Sequence, residues 1–204
     1  MKKIAKLAFD LLEKELETIK HDALVNIKGG NSGSLNMTYL PPGGAGSGQV
    51  LGTCAIAAYE VAHNYLIHNA NGMSLNTALE NYVRFQKTGS IDGFVTPADL
   101  YSGEMIVMNQ GVTIEQLVPF LRNQFNNTGT ILTSGALAIN PLGHIATAID
   151  AGHPLMASIN GGTHEVVLVG YNSGFIKYYD PQDGNYKTGV VANFSNVFEL
   201  GGAN

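Results

Sequence analysis

The chain has 204 residues, 45% of them hydrophobic, a net charge of −5 and a single cysteine. That length suits one domain with a short appendage, and one cysteine excludes an internal disulfide framework. Residues 1–30 hold six Lys and five acidic residues, whereas 31–204 hold five basic and 11 acidic ones, which argues against a phosphate-binding surface and so against nucleic acid. No run of about 18 uncharged apolar residues predicts a membrane span, and Asp10, Glu13, Lys14 and Glu15 interrupt what would be the apolar core of a secretory signal.

In chain order, residues 2–27 read as an amphipathic helix, with Ile4, Leu7, Leu11 and Leu12 at helical spacing. Gly29-Gly30 follows, and then NSGSLNMTYLPPGGAGSG, rich in Gly, Ser, Asn and Pro. That stretch, 31–48, is expected to be a flexible linker, with the folded domain at 49–204. Thr53 is a plausible N-cap for a helix from Cys54 to about His68. Further helices are expected at 74–87 after Ser74, at 114–125 with Thr113 and Gln116 in capping-box spacing and Pro119 as a kink, and at about 143–151. Beyond Pro154 the pattern changes to strands at 155–159, 164–171, 174–179 and 188–194. Helices first and strands later predict an α+β fold.

Three separate segments carry candidate chemistry. QVLGTCAIAA puts Cys54 in the first turn of an apolar helix, where unpaired N–H groups and the helix dipole favour a thiolate. Gln49 could donate its amide to a developing oxyanion, with the Cys54 N–H as second donor. GGTHEVVLVGY puts His164 at the mouth of an apolar strand, suited to take and return the thiol proton. FIKYYDPQDG ends a strand at Asp180. A three-residue hairpin loop, Asn172–Gly174, would place Asp180 on the same face as His164 to orient the imidazole, whereas a two-residue turn would send it to the other face. Each residue also has a plain structural reading: Cys54 as core, His164 as a satisfied histidine, Asp180 as a turn cap, Gln49 as linker. No histidine grouping composes a metal site, and no cofactor is expected.

Two resemblances follow from these residues. Residues 1–30 resemble bacteriocin-type double-glycine leaders, which carry large apolar residues 4, 7, 12 and 15 positions back from the cut. Counted from Gly30, these fall on Ile27, Leu24, Ile19 and Leu16. The resemblance implies cleavage after Gly30 by a peptidase-containing ABC transporter that recognises the leader, and secretion of the remainder of a bacterial protein; Gly43-Gly44 is a weaker second candidate. The order Gln, Cys on a helix, His at a strand start and Asp-Pro after a hairpin is similar to papain-like cysteine peptidases, in the branch of bacteriocin-processing peptidases. It implies an N-terminal helical half, a C-terminal antiparallel sheet, and a Cys54–His164–Asp180 triad with Gln49 in the oxyanion hole. The chain departs from that pattern in a five-residue gap between Gln49 and Cys54, where six is usual, and in Ala55, where Gly is common. The activity implied is hydrolysis of a peptide or protein amide through a thioester. The alternatives are a catalytically silent secreted toxin or binding protein, an acyltransferase or transpeptidase, and a peptidase that cuts its own double-glycine site.

Overall fold

The computed structural model describes residues 32–43, 52–69, 72–125, 130–132 and 141–201. Leu16, Ile19, Leu24, Ile27, Gly29 and Gly30, expected to form a leader, and Gln49, expected in the oxyanion hole, lie outside them.

Helices α1 (Cys54–Leu66), α2 (Leu75–Thr88), α3 (Pro97–Gln110) and α4 (Ile114–Gln124) precede α5 (Pro141–Asp150) and most of the sheet. Strand β1 (Ser32–Ser34) comes first in the chain, and β2 (Thr130–Leu132) comes between α4 and α5. The remainder are β3 (Leu155–Ile159), β4 (His164–Asn172), β5 (Phe175–Asp180), β6 (Asn185–Val190) and β7 (Ser195–Glu199). The sheet runs β2-β7-β3-β4-β5-β6, with all pairs antiparallel, and β1 pairs with β4 beyond the end of β3. This is the α+β arrangement expected, helical half first and antiparallel sheet second.

Helix α1 is the buried axis of the helical half. Ala55, Ala57, Ala58 and Ala62 are fully buried, and these short side chains let the helix lie close along β4. Around it Tyr59 packs edge-on against Phe120 at 4.9 Å, and Phe120 meets Tyr82 and Phe85. Local signals fix the other helices. Ser74 Oγ caps α2 by accepting from the Thr77 N–H, and Gly89 ends it in the left-handed region at φ 77°. Thr113 and Gln116 form the expected capping box of α4, and Pro119 sits inside that helix without ending it.

The expected linker is not loose at its start. Ser32–Ser34 adds to the sheet beside Gly170–Asn172, and Leu35 and Leu40 are 2% and 3% exposed. Tyr186 Oη donates to the Pro41 carbonyl. Leu35 and Leu40, with Tyr39 packed against the same core, dock the run, so the folded unit begins at Ser32 rather than at residue 49.

The β4–β5 hairpin also differs from expectation, with a consequence for the site. Its turn has two residues, Ser173 and Gly174, with φ 48° and 88°, and Asn172 pairs with Phe175. Alone, that register would turn Asp180 away from His164. A bulge between Leu168 and Gly170 inserts one extra residue in β4 and restores the register, pairing Leu168 with Tyr178 and Val167 with Tyr179. Asp180 therefore returns to the His164 face.

Candidate active site

Cys54 stands at the first turn of α1, preceded by Gly52 and Thr53. Gly52 has φ 88°, and a Cβ there would lie 2.5 Å from the Met108 carbonyl oxygen, so the approach to the cysteine requires glycine. Thr53 occupies the cap position without a side-chain bond into the helix. The thiol is 9% exposed yet lines a cavity of about 570 Å³ between the Gly52–Thr53 approach, the end of α3 and the start of β4.

His164 and Glu165 open β4. The loop before them, Asn160–Thr163, turns through Asn160, Gly161 and Gly162, all at positive φ, and returns the chain so that Ile159 pairs with His164 and Ser158 with Glu165. His164 Nε2 lies 2.7 Å from Asp180 Oδ1. Asp180 is buried. Its Oδ1 also accepts from the Gln182 N–H, and its Oδ2 accepts from Lys187 Nζ at 2.7 Å. Burial alone would raise the Asp180 carboxyl, but the bonds from Lys187, His164 and Gln182 outweigh it and hold the group below its ordinary range. An ionised acceptor assigns the hydrogen to Nε2 and leaves Nδ1 with the lone pair, as a base requires. Asp180 thus caps its turn and orients His164 at once.

Cys54 meets a different partner. Its Sγ donates to Glu165 Oε2 at 2.7 Å, and Glu165 Oε1 lies 3.4 Å from Ser158 Oγ. Among the described residues no hydrogen bond joins Cys54 to His164. Burial and the adjacent Glu165 carboxylate push the thiol up to about 12, against the weaker opposing pull of backbone N–H groups that include that of Ala55. Burial likewise raises Glu165, with the thiol, His164 and Ser158 pulling the other way. In this arrangement the sulfur is a protonated thiol held by the Glu165 carboxyl group. Glu165 is not among the residues expected at the site from the sequence. Its signal was a charged side chain inside the apolar run HEVVLVGY, at a position that alternation directs inward.

A cysteine at the mouth of a helix packed on an antiparallel sheet, and a histidine at a strand mouth bonded to an aspartate, define the class of papain-like cysteine peptidases. A family model described as the Peptidase_C39 like family matches residues 38–203, and the chain belongs to that family. No curated protein matches the chain.

Proposed function

We propose that the protein is a cysteine peptidase in which Cys54 is the nucleophile, His164 its base and Asp180 the group that orients His164. The observation that supports this most is the His164–Asp180 pair at 2.7 Å. The thiol proton passes to His164 Nδ1 as sulfur attacks the scissile carbonyl carbon. The same proton then goes to the departing amine, leaving a thioester that water resolves with His164 again as base. Gln49 and the backbone N–H of Cys54 stabilise the oxyanion. The substrate is a peptide or protein. The spacing of Leu16, Ile19, Leu24 and Ile27 before Gly29-Gly30 supports synthesis in the cytoplasm, leader removal after Gly30 by a peptidase-containing ABC transporter, and secretion of the remainder.

A second reading, a secreted domain of the same fold that does not turn over, is favoured by one observation: the thiol is protonated and tied to Glu165. A mixed peptide library read by mass spectrometry separates the two. The peptidase reading expects cleavage by the wild-type protein that disappears in both Cys54→Ala and His164→Ala. Absence of cleavage by the wild type, or cleavage that survives Cys54→Ala, supports the silent reading.

A further inference from the structure

We propose that Glu165 makes the cavity beside Cys54 a receptor for a positively charged side chain of the substrate, next to the scissile bond. The proposal rests on the peptidase reading for the word substrate, but its geometry stands apart from it. Glu165 is 2% exposed and reaches the cavity wall, where its contacts are a thiol and a hydroxyl, both neutral donors. Burial without a cation makes the ionised form of this carboxyl costly and raises it toward its neutral form, and a cation delivered by a ligand removes that cost.

The chain does not supply that cation among its described residues. Arg84 donates to the Gly93 carbonyl, Lys177 sits over the Tyr186 ring, Lys187 is held by Asp180 and Asp183, and Lys87 and Arg122 are exposed in the last turns of α2 and α4. Among the described residues no Lys or Arg lines the cavity, whose other walls include Gln110, Gln116, Met108 and Gly162. Of the stretches outside the described residues, 44–51, 70–71, 126–129, 133–140 and 202–204 contain no charged residue, and the six remaining Lys all lie in residues 1–30. Glu115 on α4 adds to the negative potential at Glu165, and His164 is the opposing titratable group beside it. A cation entering here meets one carboxylate directly and a second at longer range.

Its arrival also changes Cys54. The carboxylate that now accepts the thiol hydrogen turns to the cation instead, and the sulfur is released to give its proton to His164. A neutral or acidic substrate leaves the thiol tied. Recognition and activation are thereby carried by one side chain.

Three alkylating probes of different charge test this on the full chain, because Cys54 is its one cysteine and each adduct reads as a mass shift. The probes are 2-bromoethylammonium, iodoacetamide and iodoacetate, at pH 8, each rate divided by its rate on urea-unfolded chain. In the folded wild type the cationic probe is expected to exceed the anionic one by about tenfold or more after that division. In Glu165→Gln the ratio should fall toward one while iodoacetamide labelling speeds up. A ratio near one in the folded wild type overturns the proposal without reference to any variant. So does an unchanged ratio in a Glu165→Gln protein whose circular dichroism and melting are native. Loss of peptide cleavage bears on the peptidase reading and leaves this ratio unaffected.

Discussion

At the scale of single residues, the site divides into two pairs that meet at consecutive positions of β4: Cys54 with Glu165, and His164 with Asp180. The second pair was legible in the sequence because His at a strand mouth and Asp before Pro are both local signals. The face they share depended on a bulge near Val169, whose one local signal in the run VVLVGY is Gly170, since an isolated glycine in a strand marks a bulge or a close backbone approach. Glu165 was harder still, because a partner 111 residues away sets its role. Asp180 carries the clearest pH signature. Its lowered carboxyl stabilises the fold at pH values above the ordinary carboxylate range, and that stability is lost as pH falls through its folded value. Asp180→Asn should therefore melt lower than the wild type at pH 7, by roughly 1–3 kcal/mol for the lost buried acceptor. The gap should close on acidification below about pH 4, as thermal melts across pH will record. A gap independent of pH would contradict the ionised Asp180 on which the tautomer of His164 depends.

Among the elements, those with caps or strict alternation were readable and those defined by packing were not. Ser74, Thr113 and Gln116 located two helices to within a residue or two, and LMASI was found at its observed bounds. Helix α3 was not expected, because PADLYSGEMIVMNQ shows no apolar stripe: only Gly103 and Val107 are buried, while Tyr101 and Ile106 face outward. It is placed by contact, with Gly103 so close to Val83 that a Cβ would lie 2.4 Å from Val83 Cγ1. Strand β6 begins three residues earlier than expected, since Asn185-Tyr186-Lys187 is polar in sequence but pairs fully with β5. Helix α1 carries its own test. Burial pushes Glu60 up to about 7, so the fold favours its protonated form and loses stability as pH rises from the ordinary carboxylate value toward 7. Glu60→Gln should melt higher than the wild type at pH 8, and the two should converge near pH 4. A variant less stable at pH 8 would show that the Glu60 charge is compensated.

For the whole molecule, the order of helices before strands was enough to give the α+β class, and the motif order gave the family, which the match over residues 38–203 bears out. The start of the folded part was not legible, because Gly- and Ser-rich composition outweighed Leu35 and Leu40 in the reading of residues 31–48. The comparison that tests this is between a chain beginning at Ser32 and one beginning at Pro41. The second loses β1 and two buried leucines and should melt clearly lower than the first, by about 2–5 kcal/mol per lost leucine at most. Equal melting of the two would contradict the docking of this segment. The account as a whole depends on His164 activating Cys54. A lysine-bearing peptide vinyl sulfone tests that most directly, since the sulfur adds to its β-carbon only as a thiolate and the α-carbon then takes the proton. Intact-mass measurement should show one adduct, on Cys54, in the wild type and none over the same time in His164→Ala, although both unfolded chains react alike. Labelling at equal rates in the two folded proteins would contradict the account.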